Sequence, residues 1–284
     1  MTPQVSQLFV YPIKSCAGIS VSSFKFDEKG PLFDRCWMLV DRKTGIFLSQ
    51  RSTPKMALIS TRIENEEVWV GQSWDNDLVA SCRLPTEGER IEVQIWSDTV
   101  QGYDCGDKFA LWFSQLLNHD CRLVYQGDCQ RMADEGYANK ETSVSFADGF
   151  PLLVVAQASI DVLNEACDAD ITATHFRPNI VIKNTAAFAE NKWKEIAVES
   201  EDFRADKLEM AVVKPCERCI IPMLNPNTAA REASILPVLL RYCRDNKKII
   251  FGQNLTFKYL KNLDIRVGQA VSITSLNGHE LENG

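Results

Sequence analysis

The stretch Leu208-Glu-Met-Ala-Val-Val-Lys-Pro-Cys-Glu-Arg-Cys-Ile-Ile-Pro222 joins an apolar, β-branched run to a proline and a pair of thiols. The run through Val213 has the composition of a buried strand. Pro215 is expected to end its ladder hydrogen bonding and so bring Cys216 and Cys219 out at a strand's exit. Cysteine acts as ligand or nucleophile in its thiolate form. Lys214 and Arg218 are therefore expected to lower the pKa from its ordinary ~8.5, leaving at least one thiol ionised near neutrality.

Around this stretch lie 284 residues with a net charge of -7, 45 % hydrophobic and 24 % charged. Such a chain can bury one large core or two modest ones. The acidic balance argues against nucleic acid as a partner, because affinity for phosphate backbones comes from clustered Lys and Arg, and the longest basic run is Asn246-Lys-Lys248. No segment approaches the ~18 apolar residues of a membrane span. The N-terminus lacks a basic region followed by an apolar run, so a water-soluble, cytoplasmic protein without a membrane partner is expected. The ten cysteines are scattered and read mostly as reduced core residues.

Before about residue 104 the chain reads as short strands: Gln7–Val10, Val21–Phe26, Cys36–Val40, Ile46–Ser49, Ala57–Ile63, Val68–Val70 and Ile91–Trp96. Asp41-Arg-Lys-Thr-Gly45 is a hairpin signal. A helix is expected over Gly106–Asn118, where Phe109, Trp112, Phe113, Leu116 and Leu117 share a face, then a strand over Cys121–Gln126. Gly127–Gly149 has little periodicity and reads as a flap over a site or as a disordered linker. Beyond it, strands are expected at Leu152–Ala156, Asn179–Ile182, Leu208–Val213, Ile249–Phe251 and Ala270–Ile273. Helices are expected from a Ser159 cap through Ala166 and over Leu236–Arg244. The class is α+β, mixed and β-rich.

Cys216-x-x-Cys219 alone leaves several chemistries open. Structural zinc usually takes four ligands, and His119, His175 and His279 are unpaired in sequence. A redox dithiol normally opens a helix, whereas Ile220-Ile221 read as extended with Pro222 following. Tyr11-Pro-Ile-Lys-Ser-Cys-Ala-Gly18 puts amides, a hydroxyl and an ammonium in one turn, which suits a phosphate, although taken alone it reads first as an ordinary turn with a solvated lysine. Asp34-Arg35 and Gln50-Arg51 place guanidiniums at strand ends, the usual setting of surface ion pairs. In His175-Phe-Arg-Pro-Asn179, a buried Arg177 and Asn179 need partners, either backbone groups or a polar ligand, and His175 reads as structural.

Taken in order, Tyr11-Pro-Ile-Lys-Ser-Cys-Ala-Gly18, Asp34-Arg-Cys-Trp37, Phe176-Arg-Pro-Asn-Ile-Val-Ile182, Pro215-Cys-Glu-Arg-Cys-Ile220 and Phe251-Gly-Gln-Asn254 resemble the MOSC-domain molybdenum proteins. More narrowly they resemble the mitochondrial amidoxime-reducing component and its bacterial relatives. The resemblance implies an N-terminal β-barrel domain over residues 1–125, then a β-barrel-like MOSC domain with flanking helices over 126–284. It implies a molybdenum cofactor with Cys219 as the metal ligand and Cys216 in support. Lys14, Ser15, Arg35, Arg177 and Asn179 fall where such proteins grip the pterin and its phosphate, while Asp148 and Arg218 border the metal, Asp148 with a catalytic part. The resemblance also carries a family-level association with pyridoxal phosphate binding.

The implied reaction converts N–OH to N–H in hydroxylaminopurines, amidoximes or hydroxamic acids, consuming two electrons and two protons and releasing water. The alternative is a sulfur carrier or cofactor carrier using Cys219 as a persulfide or ligand. No cysteine follows Cys243, so a separate flavin or iron–sulfur electron donor is expected. Where such proteins often carry Thr-Thr after the metal cysteine, this chain has Pro222-Met-Leu-Asn-Pro226, an expected change in the site's rim.

Overall fold

The computed structural model describes residues 1–73, 78–199, 207–259 and 263–276; His279 lies outside them. Strand outweighs helix, 42 % against 17 %, which places the protein in the β-rich α+β class. The largest sheet is a path of eight strands with a short ninth beside it. In spatial order the eight are Val271–Leu276, Trp193–Val198, Leu208–Glu217, Lys248–Phe257, Leu152–Ala156, Ile180–Lys183, Gln4–Val10 and Ile19–Val21. Among the described residues no regular ladder closes it into a barrel. A single bridge, Gln4 to Ala270, with Val5 N to Gln269 O at 3.0 Å, ties the first strand back to the entry of the last.

Alternation along the strands explains why this sheet is covered on both faces. Leu8, Val10, Val154, Ala156, Ile180 and Ile182 point into one core with Phe24, Phe26 and Ile265. Phe9, Val155 and Val181 point the other way, onto Ile160 and Leu163 of helix Gln157–Glu165 and Val238 and Leu239 of helix Ile235–Tyr242. The parallel pairing of Leu152–Ala156 with Ile180–Lys183 is made through the first of those helices, the crossover that parallel strands require. A second sheet, Trp37–Asp41, Cys121–Tyr125, Asp98–Asp104 and Glu89–Ile95, carries helix Asp107–Leu117 on its core through Phe109, Phe113 and Leu117.

Several expectations are corrected. Pro215 does not end its strand: Leu208–Glu217 continues through it, with register irregularities between Val212 and Lys214 and between Pro215 and Glu217. At such bulges a missing N–H removes no regular ladder bond. Ile220-Ile221 is not extended, because Ile220 is αR and Ile221–Met223 forms a 3₁₀ turn with Pro222 inside it. Ser159 does not cap its helix. It lies inside Gln157–Glu165, where its Oγ donates to Glu190 Oε2 at 2.9 Å and accepts from Phe188 N at 2.7 Å. Val21–Phe26 breaks at Ser22 into two strands of different sheets, and Ile46–Ser49 makes only isolated bridges.

Gly127–Gly149 is irregular but held. Buried Arg131 donates to the carbonyls of Ser145, Ala147 and Asp148 and pairs with Asp98 at 2.7 Å.

Candidate functional site

Three chain crossings meet at one cleft, and each puts a cation there by backbone geometry. After Gln4–Val10 the chain turns with Ser15 at a φ of 66°, and Lys14 N bonds Trp37 O at 2.8 Å. That directs Lys14 Nζ to Phe146 O at 2.9 Å and Asp148 Oδ1 at 2.5 Å. Arg35, at a φ of 51°, bonds Asp34 Oδ2 at 2.5 Å and Arg177 O at 3.1 Å. Arg177, at a φ of 56°, ends the turn Ala173–Phe176, and its Nη1 donates to Cys16 O at 2.7 Å. Both guanidiniums lie 4.3 Å from the centroid of the buried Tyr11 ring. Such left-handed positions are sparsely populated for residues with side chains and tend to collect at functional sites.

On the opposite wall, Cys216, Glu217, Arg218 and Cys219 line the same cleft, with Ile221, Pro222 and Asn254. Arg218 reaches back across the sheet, Nε to Phe251 O at 2.8 Å and Nη1 to Phe176 O at 2.9 Å. It can do so because residue 252 is glycine. Gly252 has a φ of +75°, and a Cβ there would stand 2.9 Å from Val154 O and 3.2 Å from Arg218 Nη2. Cys219 Sγ accepts from Ile221 N at 3.5 Å, a contact made by the 3₁₀ turn.

All of Lys14, Ser15, Arg35, Asp148, Arg177, Asn179, Arg218 and Cys219 thus line one cleft, although they span more than 200 positions of sequence. Three points that the sequence left open or read otherwise are set by the surrounding contacts. Asn179 satisfies backbone groups: its Oδ1 accepts from Leu153 N at 3.2 Å and its Nδ2 donates to Phe9 O at 3.3 Å. The Cys216 thiol is not poised to ionise, since burial raises its pKa and Arg218 only partly offsets this. Lys214 gives it no help, lying 3.5 Å from Asp134 and over the Tyr137 ring. In the altered rim, Pro222 lines the cleft, whereas Met223 packs against the helical core.

Charge in the cleft is unevenly neutralised. Burial pulls Lys14 down to about 8, against the opposing pull of Asp148. Local desolvation would raise the Asp148 carboxyl, but Lys14 and the Trp96 indole N–H outweigh it and hold the group well below the usual carboxylate range. Arg177 Nη2 and Arg218 Nη2 are sealed from solvent with no hydrogen-bond partner among the described residues. Buried donors of this kind are costly and call for an acceptor. Phe47, Ser49 and Trp96 on the rim have no counterpart in the sequence expectations, and Arg51, expected in a surface ion pair, instead stacks on Trp96 with no ion pair among the described residues. It also missed Arg131, for which no local signal exists.

Residues 2–120 match the MOSC N-terminal beta barrel domain and residues 141–272 the MOSC domain. The chain is 30 % identical to mitochondrial amidoxime-reducing component 1 of Mus musculus over 284 residues, covering 94 % of this chain and 81 % of that one. It is 27 % identical to the Homo sapiens protein of the same name, covering 89 % and 76 %. It is also 29 % identical to molybdenum cofactor sulfurase of Bos taurus, over 87 % of this chain and 29 % of that protein.

Proposed function

The chain belongs to the MOSC-domain family that includes the mitochondrial amidoxime-reducing components, and we propose that it is a molybdenum-cofactor-dependent oxidoreductase reducing N-hydroxylated compounds to their N–H forms. The observation that carries this reading is the convergence of Cys219 with Lys14, Arg35, Arg177 and Arg218 on one cleft, where Arg177 Nη2 and Arg218 Nη2 lie just beneath the surface without a partner among the described residues. Soft sulfur suits molybdenum, and the orphaned donors suit the anionic oxygens of a pterin phosphate. The residues present fit the group.

Cys219 would hold the metal, with Lys14, Ser15, Arg35, Arg177 and Arg218 around the pterin and Asn179 bracing the wall behind Arg177. When bound, the cofactor supplies the two-electron reduction of the N–O bond. The chain's own residues then bind and orient. Asp148 is ionised at neutral pH, so it accepts a hydrogen bond, orienting a substrate N–H, rather than giving a proton. Lys14, pulled down to about 8 by burial and held by Phe146 O and Asp148, sets the positive charge of the cleft and positions the Asp148 carboxylate.

The electrons would come from a separate flavin or iron–sulfur protein. The boundary near residue 125 and a cytoplasmic location belong to the same proposal. No helix among the described residues is long and apolar enough to cross a membrane.

Protein made in a host that synthesises the cofactor should hold close to one molybdenum per chain. It should reduce benzamidoxime or 6-hydroxylaminopurine with an artificial electron donor, and Cys219→Ser should lose both metal and turnover. A fully active Cys219→Ser protein sinks the reading. The similarity to molybdenum cofactor sulfurase favours a second reading, in which Cys219 carries a persulfide or hands over the cofactor. Sulfane sulfur on the isolated protein, without turnover of any N-hydroxylated compound, would select it.

A further inference from the structure

Resting on that reading, we propose that Arg51, stacked on Trp96 at the rim of the cleft, selects N-hydroxylated substrates that also carry a carboxylate. Trp96 and Ser97 form the two-residue turn between strands Glu89–Ile95 and Asp98–Asp104, and Trp96 has a φ of 55°. Hairpin turns favour Asn or Gly there, and a bulky side chain in the left-handed region is strained. Nothing about the turn asks for tryptophan. Its ring lies instead on the cleft, 38 % exposed, with the Phe47 ring centroid at 4.8 Å, the Arg51 guanidinium at 4.5 Å and its Nε1–H on Asp148 Oδ1 at 3.2 Å.

Arg51 differs from every other cation lining the cleft. Lys14 and Arg35 are paired with Asp148 and Asp34. Arg177 and Arg218 are tethered to carbonyl oxygens. Among the described residues Arg51 has no side-chain hydrogen bond and no carboxylate, and its Nε is sealed from solvent without a partner. Stacking alone fixes it. With Nε sealed, the terminal Nη1–Nη2 edge of this face-held guanidinium is the one left to meet a carboxylate with two parallel bonds. One unpaired cation answers one negative charge, which favours a carboxylate over a phosphate dianion. Phe47 and Trp96 give the planar body of such a substrate an apolar surface beside it. Arg51 is then a specificity-determining residue and Trp96 a positioning one.

The test compares benzamidoxime with 4-carboxybenzamidoxime on the molybdenum-loaded enzyme, Arg51→Gln, Arg51→Lys and Trp96→Leu, with metal content measured for each. The wild type should favour the carboxylate by about tenfold to a hundredfold in kcat/KM, mostly through KM, which is the scale of a charge-assisted hydrogen bond. Added salt should erode that preference. Arg51→Gln should bring the ratio near one, with Arg51→Lys and Trp96→Leu between. A wild-type ratio near one, a ratio unchanged in Arg51→Gln, or loss of molybdenum from Arg51→Gln would overturn the proposal, the last by giving Arg51 to the cofactor.

If neither compound is turned over, the enzymatic reading fails, and calorimetric binding of 4-carboxybenzamidoxime decides Arg51 separately. Binding that weakens in Arg51→Gln supports the carboxylate site, and equal binding removes it.

Discussion

Glu190 is 1 % exposed and has no cation beside it among the described residues; it accepts from Ala156 N at 3.2 Å and Ser159 Oγ at 2.9 Å. Burial raises its pKa from 4.5 to about 7. Its folded pKa lies above the unfolded one, so its contribution to stability is complete below pH 4.5 and is lost as pH rises through 7. The shift corresponds to about 3 kcal/mol. Glu190→Gln should therefore gain on the wild type by roughly that amount between pH 4.5 and pH 8. Parallel urea midpoints for the two proteins across that range would refute this. At the same scale, Gly252→Ala should cost about 1–3 kcal/mol through its left-handed φ and crowding of Val154 O. It should also displace Arg218 and lower the molybdenum content, a loss that metal analysis reads directly.

Elements are placed here by single side chains acting at a distance. The N-terminus of helix Gln157–Glu165 receives Glu190 from more than 30 residues away, in place of the local serine cap that the sequence offers. The segment 127–149 is shaped by Arg131, whose guanidinium gathers three carbonyls and so sets the backbone that carries Asp148. Arg131→Met keeps the volume but leaves buried acceptors unsatisfied, so it should cost about 3 kcal/mol or more. Proteolysis should then cut first within 127–149, and cleavage no faster than in the wild type would contradict this account. Strand Leu208–Glu217 was legible as far as Val213. The irregular register beyond it depends on Lys248–Phe257, which no local composition reveals.

For the whole molecule, Gln4–Val10 is paired with Ile180–Lys183 and buries Val5, Leu8 and Val10 in the core formed mainly by residues 152–271. A chain of residues 126–284 alone would expose that core and leave a sheet edge unpaired. It should be insoluble or non-cooperative in thermal unfolding, whereas a soluble fragment with a sharp transition would show that the first strand is dispensable. The same pairing delivers Tyr11 and Lys14 to the cleft, so under the proposed function loss of the strand should also abolish molybdenum retention.

Local patterning was sufficient for the β-rich class, helix Asp107–Leu117, strand Leu152–Ala156 and the cysteine pair, because each depends on the period or chemistry of neighbouring residues. Ordered motifs also marked Lys14, Arg35, Arg177 and Cys219 as belonging together. Which cations are neutralised, which nitrogens are left without acceptors, and that Trp96 and Arg51 stand at the mouth were decided only by the tertiary structure. Ion pairing and desolvation are set by distances between side chains far apart along the chain, and sequence carries no record of those distances until the sheets bring them together.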